Sequence, residues 1–205
     1  MAAALAASFY DRDTEQVARD LLGAILRCVT PEGVAAGRIV ETEAYLGEHD
    51  AACHAAAGRT ARTEGLYGEP GTAYVYFTYG MHWCANAVTR RAGLPSAVLI
   101  RALEPLEGLA LMRRRRPAAN GDRELANGPA KLCAALGITG ELNGVPLRRS
   151  RLTIHAGAPV PDSEVVITPR IGITKAVDWP LRWIAAGSDC LSRPYRPSPR
   201  RRAVR

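Results

Sequence analysis

Apolar residues recur at helical spacing at Val17, Leu21, Leu22 and Ile25, with Asp11 or Asp13 placed to cap, so the pattern predicts an amphipathic helix from about Thr14. The period then changes. Leu26 to Val29, a Thr30-Pro31-Glu32-Gly33 turn and a run from Val34 to Tyr45 read as a β-hairpin. From Gly47 to Gly71 no period is clear, which predicts a long surface segment. A strand from Thr72 to Thr78 turns at Tyr79-Gly80-Met81 and returns through His82 to Thr89, and a third runs from Ser96 to Ala102. Pro105 reads as the first turn of a helix through Met112 to about Arg115, which Pro117 ends. A second short helix opens at Pro129, carries Leu132, Cys133 and Leu136 on one side, and stops at Gly137. Strands near Leu152 to His155, Val165 to Thr168 and Leu181 to Ile184 complete the pattern. The expected fold is α+β: one domain, a curved, mainly antiparallel sheet surrounded by helices, with a protruding β-hairpin.

Length agrees with one domain, since 205 residues divided in two would leave both cores marginal. The net charge of +7 suggests a polyanionic partner. Its distribution tempers that: the last fifteen residues hold six arginines and no acid, leaving residues 1–190 near neutral. We therefore expect a domain over 1–190, a disordered Arg-rich tail over 191–205, and a local basic patch on the body. Five scattered cysteines without CxxC spacing point to reduced thiols and a cytoplasmic setting. The Ala-rich start, Met1 to Ser8, is too short for a membrane span, so no membrane association is expected.

The strand Ile39-Val40-Glu41-Thr42-Glu43-Ala44-Tyr45 places Glu41, Glu43 and Tyr45 on one face. A solvated face would be ordinary; in a pocket, two adjacent carboxylates push their pKa values apart and one can serve as general base. Spacing does not choose between these. Arg101 interrupts an apolar run, Ala97 to Ala102, and needs Glu41 or Glu43 as partner unless it reaches solvent at the strand end. Tyr74 and Tyr76 share a face, whereas Tyr79 stands at the hairpin apex, shaped as a wedge for a base stack. Asn86 is a polar residue among small apolar ones, able to read a base edge. His54 sits in a His/Cys/Asp cluster whose spacing fits no zinc pattern, so no metal is expected and a neutral imidazole reading a purine is more economical. Asn127 is placed to cap the helix after Gly128 and Pro129, and Lys131 makes that end a phosphate seat. The Arg113 to Arg116 run either tracks a second phosphate or is a solvated face.

Four blocks occur in order: GRIVETEAYLG, GTAYVYFTYGMHWCAN, VLIRALEPLEG and NGPAKLC. Together they resemble the alkyladenine (3-methyladenine) DNA glycosylase family over roughly Ala18 to Ser188. The resemblance implies that Glu43 is the base that deprotonates the attacking water and that Arg101 helps hold that water. It implies that Tyr45, His54 and Tyr76 wall the base pocket, that Tyr79 intercalates, and that Asn86 screens purines at the exocyclic position. Lys131 and the block from Arg170 to Lys175 match backbone contacts. The loop GRTARTEGLYGEPG and the Arg-rich tail depart from the family pattern.

That resemblance implies a monofunctional glycosylase of base excision repair, acting on alkylated or deaminated purines in double-stranded DNA. The lesion class includes 3-methyladenine, 7-methylguanine, hypoxanthine and etheno-adenine. It would act without metal or organic cofactor, as a monomer, and leave an abasic site. Two other classes compete: a non-catalytic module for distorted nucleic acid, and a small-molecule hydrolase using Glu41 and Glu43 as a pair.

Overall fold

The computed structural model describes residues 3–196. A short helix α1 (Ala7–Tyr10) precedes α2 (Thr14–Asp20), whose first amides, at Glu15 and Gln16, are capped by the Asp13 carboxylate. The helix is one turn shorter than the spacing predicts. Gly23, at φ +90°, turns the chain and donates its N–H to the Ile39 carbonyl, so Ile25 already begins a strand.

Strands β1 (Ile25–Thr30) and β2 (Gly33–Tyr45) form the expected hairpin. The second hairpin is β3 (Ala73–Thr78) and β4 (His82–Val88), followed by β5 (Ala97–Glu107), α3 (Leu109–Arg115) and α4 (Pro129–Leu136). Short strands β6 (Leu152–His155), β7 (Val165–Thr168) and β8 (Arg182–Ala185) close the order. All pair antiparallel in one sheet ordered β3-β4-β5-β2-β1-β6, with β8 also on β2 and β7 on β8. The α+β class is therefore as expected.

β2 is the axis of the sheet. One edge pairs with β5 along most of its length; the other pairs with β1 over its first half and with β8 at Glu41 to Glu43. On one face, α2 packs Val17, Ala18 and Leu21 into the core, and the Thr42 hydroxyl donates to the Ala18 carbonyl. Helix α4 packs Leu132 and Leu136 in the same core, which also holds Ile100, Leu103 and Met112. A smaller cluster, Cys53, Ala55, Leu66, Tyr67, Tyr74, Val88 and Ala97, gives the segment after β2 its own buried face. Among the described residues no helix is long and apolar enough to cross a membrane.

Two expectations are corrected. Pro105 does not open a helix: it lies in β5, opposite Gly37, and the helix begins four residues later. Beyond Leu99, β5 has β2 on one side only, so a residue without an N–H is tolerated there. The domain also runs past residue 190, because Leu191 is buried and Ser192 bonds to Glu41. The last nine positions of the tail lie outside the described residues.

Gly108 joins β5 to α3 at φ +77°, and a Cβ there would meet the Val34 carbonyl oxygen at 2.1 Å. Gly108→Ala should lower the free energy of unfolding by about 2 kcal/mol or more, read by urea denaturation. Unchanged stability would mean that this turn is not under the steric limit described.

Candidate active site

The register between β2 and β5 slips three times, once between Ala36 and Gly37 and twice around Glu41. Ile39 faces Leu103 and Glu41 faces Ala102, leaving Val40 unpaired; Thr42 then faces Ile100, leaving Arg101 unpaired. Such bulges re-aim side chains. Here they let Arg101 meet both acids of β2: its Nε donates to Glu41 Oε1 at 3.0 Å and its Nη1 to Glu43 Oε2 at 3.1 Å. Glu41 and Glu43 are each 0% exposed and Arg101 8%, so this acidic face is buried and not solvated.

The two glutamates differ in what remains open to them. Glu41 accepts four bonds: from Arg101 Nε, from Arg182 Nε at 2.7 Å, from the Ser192 hydroxyl at 2.7 Å and from the Ser192 amide at 2.7 Å. Three of these bonds fall on Oε1 and one on Oε2, so Glu41 has as many donors as a carboxylate has acceptor positions. Glu43 accepts three, from Arg101, from the Tyr45 hydroxyl at 2.9 Å and from the Ile171 amide at 2.9 Å. One acceptor position stays free, on Oε1. Burial pushes the Glu43 carboxyl above its ordinary range against the pull of Arg101, the Ile171 amide and Tyr45. Burial acts on Glu41 in the same direction, but Arg101 and Arg182 outweigh it and hold that carboxyl below its ordinary range. The like pair is thus split into a fixed anion and a more basic one.

Tyr45, Arg101 and Ile171, the three donors to Glu43, line a cavity of about 640 Å³, with Glu43 directly behind them. Its other walls include His54, Tyr76, Asn86, Tyr79 and Lys175. The His54 ring meets Tyr76 edge-on, centroids 4.4 Å apart. The Tyr74 hydroxyl has one proton, directed at the Arg62 carbonyl at 3.2 Å, so at 3.0 Å it accepts from His54 Nδ1–H. Burial, then the charge of Arg62, lowers the His54 pKa, so the ring is neutral and Nε2 is an acceptor. Asn86 gives one Nδ2–H to the Tyr74 carbonyl at 2.9 Å, which leaves its side-chain oxygen and its second N–H. Both polar residues of the wall therefore have a lone pair to offer, and Asn86 an N–H as well.

Tyr79 is 81% exposed, at φ +51° beside Gly80 at φ +67°, with Met81 also exposed at the tip. Two successive positive φ values make the tight hairpin turn that matches strand twist, and holding a tyrosine there costs about 1 kcal/mol. Tyr79 is thus an exposed, strained aromatic at the cavity mouth.

The backbone contacts fare unevenly. Lys131 and Arg193 line a second, smaller opening that shares Arg101, Pro129, Ile171 and Gly172 with the cavity, and Lys175 lies on the cavity wall itself. Asn127 does not cap α4; its side-chain oxygen accepts from Lys131 Nζ at 2.8 Å. Arg170 is not a phosphate contact. It is 4% exposed, makes a two-pronged pair with Asp50, donates to the Ala44 carbonyl at 3.0 Å and lies 4.7 Å over the Tyr45 ring. Its work is to hold the pocket wall. In the Arg113 to Arg116 run, Arg113 pairs with Asp122 and Arg115 with Glu32, so these charges tie segments together.

Sequence reading missed Arg182, Ser192, Asp50 and the Ile171 amide. Arg182 carried the same signal as Arg101, a cation in an apolar run. Asp50 stood in the cluster weighed for metal; among the described residues no three His, Cys, Asp or Glu side chains are placed to hold an ion. Ser192 and a backbone amide carry no sequence signal.

Comparison with known proteins gives the family of the chain. The family model of methylpurine-DNA glycosylase (MPG) matches residues 8–189. A protein of Methanocella arvoryzae is 49% identical over 189 residues, covering 90% of this chain and 94% of its own. One of Methanoculleus marisnigri is 49% identical over 192 residues (92% and 98%), and one of Myxococcus xanthus is 51% identical over 174 residues (84% and 83%). Each is named "Putative 3-methyladenine DNA glycosylase". With its acidic pair, its aromatic cavity and similarity over nearly its whole length, the chain belongs to the methylpurine-DNA glycosylase family.

Proposed function

We propose that this protein is a monofunctional DNA glycosylase that flips a damaged purine from duplex DNA into the Tyr45, His54 and Tyr76 cavity and hydrolyses its N-glycosyl bond. One observation carries the reading: behind an aromatic cavity of nucleobase scale stands a carboxylate, Glu43, held by three donors with one acceptor position left for water.

Cleavage of this bond develops positive charge on the sugar ring, which a carboxylate near C1′ stabilises. Glu43 accepts a proton from water as the water oxygen bonds to C1′ and the C1′–N bond breaks, its electron pair leaving with the purine. An N-alkylated cationic purine departs neutral and needs no acid. The lone pairs of His54 Nε2 and Asn86 favour a base that brings N–H groups to that wall. Tyr79 fills the gap in the stack, offsetting the few kcal/mol that flipping costs.

Glu43→Gln should lower single-turnover base release by a factor on the order of 10² to 10⁴ while leaving affinity for abasic-site DNA within a fewfold. Base release at the wild-type rate would refute the assignment of the base. For the wild type, release requires the ionised carboxylate, and burial raises its pKa. The rate should therefore fall with acidification through a midpoint above the ordinary glutamate range, a profile measured on a duplex carrying 7-methylguanine.

Tyr79→Ala should slow excision from duplex DNA by about tenfold or more and hardly affect a lesion already unpaired in a single strand. Equal losses on both substrates would speak against a wedge. Release from a free nucleoside, indifferent to this substitution, would favour the small-molecule reading.

A further inference from the structure

Resting on the glycosylase reading, we propose that Glu41 is a positioning residue for the reaction, and that with Arg182 and Ser192 it fixes Arg101 so that Glu43 keeps its free acceptor position. Ser192, from the segment following β8, thereby becomes part of the support of the active site.

Arg101 sits in a bulge, where the sheet does not set its direction. Its guanidinium is fixed from the far edge instead. Nε donates to Glu41, and Nη2 lies 3.4 Å from the Ser192 hydroxyl oxygen, which itself donates to Glu41. Only Nη1 is left for Glu43. Glu41 is anchored in turn by Arg182, whose Nη1 donates to Thr168 Oγ1 at 3.0 Å, and by the Ser192 amide. The ring closes on itself: Arg101, Glu41 and Ser192 each touch the other two.

Without the Glu41 charge, the fork of Arg101 is free to turn and grip Glu43 with two N–H groups, the geometry that arginine and carboxylate prefer. That grip would fill the acceptor position kept for water and stabilise the Glu43 anion, making it a weaker base. The groups facing Glu43 are Arg101 from β5, Arg182 from β8, Arg170 from the loop after β7, and Glu41 and Tyr45 from β2 itself. Glu41 is the one anion in that set. Loss of its charge and a tighter grip by Arg101 act in the same direction, lowering the proton affinity of Glu43.

The test is single-turnover base release from a 7-methylguanine duplex across pH, with the full chain as wild type, Glu41→Gln, Ser192→Ala and Ser192→Thr. For Glu41→Gln the maximal rate should fall by a factor on the order of 10², with half-saturating enzyme concentration unchanged and the acidic limb moved to lower pH. Ser192→Ala removes one bond to a residue that keeps its charge, and should cost about fivefold, with Ser192→Thr restoring most of it. Should Glu41→Gln not fold, the Ser192 pair carries the test alone. A Glu41→Gln enzyme at the wild-type rate, a rate loss equal at every pH, or a threonine variant no better than alanine overturns the proposal while wild-type release upholds the glycosylase reading. No base release by the wild type overturns both.

Discussion

Four charges buried in the middle of a sheet govern this molecule. Glu41, Glu43, Arg101 and Arg182 are all under a tenth exposed, and each would be costly in that position without the others. Two cations and two anions cancel, but cancellation is only half the requirement, because every donor and acceptor also needs an aligned partner. Were the ladder to continue regularly past the Glu41–Ala102 pair, Arg101 would stand opposite Thr42 and share that residue's face, not the face of Glu41 and Glu43. The bulges at Val40 and Arg101 bring it to both acids instead, and the split edge of β2, with β1 on one half and β8 on the other, supplies the second arginine. The irregularities of the sheet follow from the site it carries.

A second buried pair repeats the logic one layer out. Asp50 takes both terminal nitrogens of Arg170 together with the amides of Leu46 and Ala52, and those bonds hold its carboxyl below the ordinary range although burial alone would raise it. The guanidinium then lies over the Tyr45 ring, and the next residue, Ile171, points its amide at Glu43. One clamp thus sets a wall of the cavity and a donor to the Glu43 carboxylate together. A flat aromatic wall held this firmly presents a stacking surface with little conformational freedom left to lose on binding.

The fold was legible because hairpins and short helices announce themselves in local period, and the two main hairpins lie where the sequence places them. Pro105 was not, since a proline suits a helix start and a one-sided strand equally, and only the partner strands decide. Arg101 was legible as a cation in an apolar run. The choice between Glu41 and Glu43 was not legible from pattern, because it rests on the Ile171 amide, 128 positions from Glu43, and on Ser192, 151 positions from Glu41. Arg170 shows the same limit: as one cation in a basic block it reads as a phosphate contact, and its partner Asp50 stands 120 positions earlier. Local sequence reveals which residues are chemically out of place, and distant sequence determines what they do.

The surface bears on how damaged DNA is told from sound DNA. Much of the body's positive charge is engaged internally: Arg12 with Asp20, Arg19 with Asp162, Arg59 with Glu64, Arg113 with Asp122 and Arg115 with Glu32. What gathers at the cavity and its side opening is small, namely Lys131, Lys175 and Arg193. A body of nearly zero net charge gains little from counterion release along an undamaged duplex. In the proposed function, affinity then comes from insertion of Tyr79 and stacking in the cavity, both of which require the base to leave the helix. A base weakly held in its pair leaves at lower cost than a sound one, so on that proposal a weak surface field would limit non-specific binding and sharpen selection at the flipping step.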